Sequence, residues 1–333
     1  MKRKTWIGLV VIGLALTSIL LLSFFFITRI RESKKGGMSI TLQVRLEGLN
    51  IPRDKAQSAV DNTILVLRNR IDRFGVSRPS IQQVDSLGKI LIELPGVVEE
   101  SDRMRIRKLL QATASLEFWS TYQAKDVDLY AADARVAEIL GDASAHPLLQ
   151  VLIPSDWNNS CIGFAAGVDT AQVNRYLAMA ADVLPVGFKG RWTLKPSDII
   201  REKELYELIA IKATTRDGKA PLDGDVITNA RVEFNGAGRG KGAPAVSMTM
   251  NAEGANKWAQ ITKSEVGKDI AIVLDGLVYS YPRVCSEITG GSSQITGNFD
   301  VQEAEDLANV LNSGRLPVPV VIIQEQIIDP PRK

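Results

Sequence analysis

The chain has 333 residues, with 40 Lys and Arg against 38 Asp and Glu, a net charge of +2, and 45% hydrophobic residues. These values exclude a disordered or collagen-like chain, and the missing basic excess excludes a dedicated nucleic-acid binder. One histidine, His146, and two cysteines, Cys161 and Cys285, exclude Cys/His zinc clusters and leave little material for histidine-based catalysis.

Residues 6–28 (WIGLVVIGLALTSILLLSFFFIT) form a run of 23 residues without a charge. As a helix the run is about 34 Å long, against a hydrocarbon core of about 30 Å. It continues through Phe24, Phe25 and Phe26, where a cleavable signal would need small residues, so an uncleaved membrane anchor is predicted. Lys2, Arg3 and Lys4 precede it and Arg29, Arg31, Lys34 and Lys35 follow, so charge leaves the orientation open.

Residues 39–47 alternate as a strand. Asn50 and Pro52 suit a helix start, and Val60, Ile64, Leu67, Ile71 and Phe74 recur at helical spacing until Gly75 stops the helix. Strands over 80–84 and 90–94, a helix over 99–113 and a strand over 115–121 complete a β-α-β-β-α-β order, the split unit with two helices on one sheet face. Residues 123–221 differ in texture, with five prolines, one clear helix over 169–184 and a strand within 205–214. They read as an inserted α/β subdomain. The β-α-β-β-α-β order then returns: a strand over 246–250, a helix capped by Asn251, a hairpin over 270–281 turning at Asp275-Gly276, a capping box from Asp300 to Glu303, and a strand over 318–328. The fold class expected is α+β: an N-terminal transmembrane helix (1–35), a base of two ferredoxin-like pseudo-repeats (36–122 and 222–333), and the inserted head (123–221).

Lys35-Gly36-Gly37-Met38, VLRNRIDRFGVSRPSIQ (66–82), ILIELPGV (90–97), SMTMNAEGANKWAQIT, IAIVLDGLVYSYP and ITGNFDVQEAEDLANVLNSGRLPVP together resemble the SecD family of bacterial protein export. The resemblance covers about two thirds of the chain. It implies an accessory subunit of Sec-dependent export, with the N-terminus cytoplasmic and the bulk extracytoplasmic on the bacterial inner membrane. The implied partners are SecF, the SecYEG channel, the membrane and unfolded translocating polypeptide, whose back-sliding the subunit would hinder. The alternative is an envelope scaffold that bridges membrane proteins without touching substrate. The resemblance further implies that the membrane helices carrying proton coupling lie beyond the stretch ending at Lys333. It implies structural roles for the motif residues Gly36, Gly37, Arg68, Arg70, Asp72, Gly75, Pro95, Gly96, Asp275 and Gly276.

No catalytic constellation and no cofactor motif is present, so no enzyme activity is expected. The glycine-rich 235–242 (NGAGRGKG) lacks the spacing of a phosphate loop and reads as a linker between strands. Arg68, Arg70, Asp72 and Arg73 read as surface or interface ion pairing. In the head, Leu177, Met179, Val183, Leu184 and Phe188 form either core or an apolar groove for unfolded chains.

Overall fold

The computed structural model describes residues 36–46, 52–85, 88–142, 144–198, 204–235 and 242–328. The predicted anchor, the proposed cap Asn50 and residues 236–241 of the glycine-rich stretch lie outside them. Among the described residues, no helix is long and apolar enough to cross a membrane.

The strands are β1 (Gly37–Val44), β2 (Ser80–Gln83), β3 (Lys89–Pro95), β4 (Leu116–Thr121), β5 (Ile153–Pro154), β6 (Cys161–Ala166), β7 (Phe188–Trp192), β8 (Leu205–Lys212), β9 (Leu222–Asp223), β10 (Ile227–Asn235), β11 (Ala243–Met250), β12 (Ile270–Leu274), β13 (Leu277–Ser280), β14 (Ser292–Ile295) and β15 (Val320–Ile328). The helices are α1 (Arg53–Phe74), α2 (Glu100–Gln111), α3 (Leu129–Leu140), α4 (Thr170–Met179), α5 (Ala252–Ser264) and α6 (Val301–Ser313). They form two compact units: one takes the chain up to Gln111 together with Leu316 onward, and the other is Ala112–Arg315. The class is mixed α and β with several antiparallel sheets.

In the first unit the sheet runs β15-β1-β3-β2. Alternation on β1 sends Met38, Ile40 and Leu42, each 0% exposed, to one face, where they meet Leu67 and Ile71 of α1 and Ile106 and Leu110 of α2. The other face carries Ser39, Thr41 and Gln43 of β1 and Lys89 and Glu93 of β3. Pro52, not Asn50, stands at the cap position of α1, with no side-chain cap. Gly75 ends that helix at φ 89°, the left-handed conformation glycine adopts without a Cβ penalty.

The fourth strand of this sheet is β15, from the far end of the chain, where the sequence pattern had placed residues 115–121. Those residues, as β4, lie in the second unit between β12 and β8. The reason is burial on both faces: Phe118 and Trp119 are consecutive, and they are 0% and 3% exposed. A two-sided apolar strand would strand Trp119 on the polar face of the first sheet. β15 suits β1 instead, since Glu325, opposite Ile40, reaches Arg107 of α2.

In the second unit the main sheet is β13-β12-β4-β8-β6-β5, with β7 also on β8 and β9 on β4, and a separate sheet is β10-β11-β14. The second predicted repeat is therefore divided. β11 and the β12–β13 hairpin belong to different sheets, because the apolar run 270–274 is buried at every position and needs a neighbour on each side. One face of the main sheet packs against α5, α6 and the smaller sheet through Phe118, Ile272, Val246, Trp258 and Leu307. Further along, α3 and α4 cover it through Val136, Val173, Leu177 and Leu208. The opposite face holds Trp119, Cys161, Ile209, Val273 and Val278. Thr193, just past β7, bridges Val278 of β13, so the sheet curls back over that face.

Candidate functional site

α4 is shorter than its apolar spacing predicts, ending at Met179 and not near residue 184. Pro185 disfavours helical conformation in the residue before it, and the segment 180–187 becomes a series of turns. Phe188 N–H donates to the Pro185 carbonyl (3.0 Å), and the Tyr122 hydroxyl donates to the Val186 carbonyl (2.6 Å). Gly187 has φ 75°, and a Cβ there would stand 2.5 Å from the Ala213 carbonyl oxygen, so only glycine lets the chain enter β7 so close to β8.

Between α4 and β7 this turn leaves a cleft of about 620 Å³. Leu177, Leu184 and Phe188 line it, while Met179 packs against the neighbouring core and Val183 is exposed. Leu177 does both jobs, 5% exposed and part of the core. Three of the five predicted residues thus converge. The sequence reading missed Pro185 and Val186, together with the rim residues Asn174, Asp182, Lys189 and Arg191. Pro185 and Gly187, a turn signal between a helix and a strand, were the available clue.

The rim is held by polar contacts. Arg135 of α3 pairs with Asp182 (3.0 Å) and Glu138 (2.8 Å). Trp192 Nε1 donates to Asn174 Oδ1 (3.0 Å), and Lys189 Nζ donates to the Gly218 carbonyl (2.6 Å) and lies 5.0 Å from the Trp119 ring centroid. Val186 at the mouth is 92% exposed. β7 pairs with β8, and its far end meets β13 through the Thr193–Val278 bridge; among the described strands no ladder covers the other edge of residues 188–191, beside the cleft. An apolar floor, a mixed polar rim and an open strand edge can take an extended segment without reading its sequence.

The motif residues fall elsewhere. A Cβ on Gly37 would stand 2.7 Å from the Leu94 carbonyl oxygen, and the Gly36 carbonyl accepts from Gly96 N–H (3.0 Å). Gly37 faces Pro95 in register, and Gly36 and Gly96 have φ 68° and 84°. Arg70 is 0% exposed and its Nη1 donates to the Leu109 carbonyl (2.8 Å), so it joins α1 to α2. Arg68 and Asp72 are exposed, and no ion pair joins them. Arg70 makes a buried arginine–carbonyl bond because position 70 lies on the stripe side of α1. Asp275, at φ 51°, turns the β12–β13 hairpin with Gly276.

Among the described residues no group of three or more His, Cys, Asp or Glu side chains could hold a metal ion. Cys161 is buried and Cys285 exposed, both free. Burial, with the Glu207 carboxylate adding to it, pushes the Cys161 thiol up to about 12, so it is not a nucleophile at neutral pH.

Two family models match the chain. That for the SecDF P1 head subdomain covers residues 205–318, and that for the N-terminal part of the P1 domain of protein translocase subunit SecDF covers 60–123. The first begins with β8, inside the predicted head, and runs on through α6. Among curated relatives, the protein translocase subunit SecD of Rhodothermus marinus is 40% identical over 311 residues, 84% of this chain and 48% of that protein. SecD of Dictyoglomus turgidum is 30% identical over 98% of this chain and 54% of its own. The chain spans about half the length of these relatives. A crystal structure of SecDF in a super-membrane-facing form superposes with TM-score 0.54 at 25% identity, covering 94% of this chain and 35% of that one. A second, from the structure of SecDF as a membrane component that enhances protein export, gives 0.50 at 26% identity, covering 86% of this chain and 98% of that one. With both P1 models matched over more than half of its residues, in the order of the relatives, the chain belongs to the SecD/SecDF family of protein translocase subunits.

Proposed function

We propose that this chain is the extracytoplasmic part of an accessory subunit of Sec-dependent export, and that the α4–β7 cleft holds translocating polypeptide and hinders its back-sliding. The observation that carries this reading is the cleft itself: an apolar floor of Leu177, Leu184 and Phe188 beside an unpaired strand edge. Such a surface binds through main-chain hydrogen bonds and loose apolar contact, which suits a client of any sequence. In this reading residues 6–28 anchor the chain once in the bacterial inner membrane, with the N-terminus in the cytoplasm. SecF and the SecYEG channel are its partners, the second unit, which holds most of the residues 205–318 matched by the head-subdomain model, serves as the head, and the first unit is a ferredoxin-like base.

The test is photo-crosslinking in cells from a probe placed at Val186, at the cleft mouth, with an export intermediate stalled in the channel. Adducts with the stalled chain are expected. Phe188→Ser should reduce them roughly fivefold, since truncating an aromatic anchor costs more than about 1 kcal/mol. Adducts confined to membrane proteins, insensitive to Phe188→Ser, would leave the scaffold as the better description.

A further inference from the structure

Alternation along β8 places Glu207 with Leu205, Ile209 and Ile211 on the enclosed apolar face of the main sheet, and it is 7% exposed. A carboxylate in that position is costly unless it is hydrogen-bonded and paired with a cation. It has the first of these. The Tyr281 hydroxyl donates to Glu207 Oε2. Burial raises the Tyr281 pKa and the bond to Glu207 raises it further, so the hydroxyl stays protonated and brings no positive charge. The nearby cations are engaged elsewhere. Lys195 Nζ is on Glu303 and on the Asn298 carbonyl, both at 2.6 Å, and Arg283 is on Asp269 (3.4 Å) and the Asn158 carbonyl (2.5 Å).

A second observation points to the same place. Ser280 Oγ is buried and has no hydrogen-bond partner among the described residues. Glu207 and Ser280 both line a cleft of about 360 Å³, walled by Tyr279, Tyr281 and Phe299. That volume is at the small end of ligand cavities, about 300–1,000 Å³, and suits one side chain or a small amine. The cleft offers an anion without a counter-ion, a free hydroxyl acceptor and aromatic walls, the complement of a planar or compact cation on an aliphatic stem.

We propose that this cleft binds a guanidinium or alkylammonium group, with Glu207 as its counter-ion, Ser280 Oγ as a further acceptor and the tyrosine rings against its stem. Two sources carry that chemistry, a basic side chain of a polypeptide and a free amine. The proposal does not rest on the α4–β7 cleft, and Phe188→Ser should leave this binding unchanged.

The test titrates the full chain in detergent with three probes: a labelled Gly/Ser peptide with one central arginine, the same peptide with citrulline in its place, and agmatine. The arginine peptide should bind roughly tenfold more tightly than the citrulline peptide, a difference of about 1.4 kcal/mol. Glu207→Gln should abolish that preference and Ser280→Ala should reduce it, with thermal melts confirming that both variants fold. Agmatine weaker than the arginine peptide identifies a polypeptide source, and agmatine of equal affinity identifies a free amine. If Glu207→Gln does not fold, a benzophenone beside the peptide's arginine is crosslinked to the unmodified chain. Adducts at 193–198 and 278–282 support the proposal, and adducts confined to 177–191 overturn it. Equal affinity for arginine and citrulline, no binding by any probe, or a folded Glu207→Gln that keeps the preference would also overturn it.

Discussion

Asp275 shows how a residue marked as a turn does a second task in three dimensions. Its carboxylate accepts from Thr113 N–H (2.8 Å), Ser115 N–H (2.9 Å) and the Thr113 hydroxyl, while its own N–H donates to the Ser115 carbonyl (3.1 Å). The hairpin tip is thereby tied to the chain entering β4. Asp275→Ala should lower unfolding stability by about 1–2 kcal/mol, the range of losing a helix cap, and Asp275→Asn, which tolerates the left-handed backbone, should lose less. Equilibrium denaturation of the three proteins checks the order. Ionisation sets stability at both pH extremes. Hydrogen bonds from Arg107 hold the Glu325 carboxyl below the usual carboxylate range. A depressed folded value contributes stability that is present above the unfolded value of about 4.3 and is lost as pH falls through the folded one. Glu325→Gln should flatten the acid limb of the stability profile. Burial, then Asp275 and Glu303, push Tyr279 up to about 12. A raised folded value gives stability that is complete below the unfolded value of about 10 and is lost as pH rises towards the folded one, so Tyr279→Phe should hold its melting temperature better in alkali. The turn at Asp275-Gly276 was legible in the sequence. Its partners 162 and 160 residues away were not.

At the scale of elements, period and punctuation carried most of the information. Leu67 and Ile71, predicted by spacing to face a sheet, are 0% exposed. Leu67→Ala should cost about 2–5 kcal/mol, the range for emptying a core leucine site, read as a shift in the denaturation midpoint. Asn251 caps α5 by accepting from Gly254 N–H (2.8 Å), and Asp300 and Glu303 form the predicted capping box of α6. Propensity misleads at Gly254. Alanine there would gain about 1 kcal/mol of helix propensity, yet its Cβ would stand 2.6 Å from Val226 Cβ, the rigid branch point of a neighbouring side chain. Gly254→Ala should therefore destabilise the protein by about 1–3 kcal/mol, and an unchanged or raised melting temperature would contradict that packing. The early end of α4 is the reverse case: the apolar stripe continues past Met179, but the stop at Pro185 and the sharp entry into β7 determine where the helix can lie, and so create the cleft.

At the scale of the whole molecule, the exchange of closing strands matters most. β1 pairs with β15 along 37–44 and 320–328, and Leu316, Val318 and Val320 are 3%, 0% and 5% exposed within the core of the first unit. That unit is thus closed by residues more than 200 positions away in the chain. Deleting residues 316–333 should leave β1 an exposed edge and remove part of the core. Hydrogen exchange should then show lost protection in β1 and β3, while β4, β8 and β12 of the second unit keep theirs. Uniform loss across both units would show that they unfold as one.

The sequence by itself determined the elements: strand alternation, the α1 stripe, the caps at Asn251 and Asp300, and the hairpin at Asp275-Gly276. These depend on neighbours within about four residues, so local period and backbone preference suffice to read them. Tertiary structure alone decided which strand joins which sheet, the fate of Arg70, and the two clefts. Read in chain order, β4 looks like the fourth strand of the first sheet and β15 like the last strand of the second repeat. What separates them is whether their second face must be covered, and that is settled only when Trp119 finds the enclosed face of the larger sheet and Glu325 finds Arg107. Glu207 belongs to the same class: within the run LYELIAIK it reads as an ordinary strand position, and only the curl that brings Thr193 to Val278 buries it beside Tyr281.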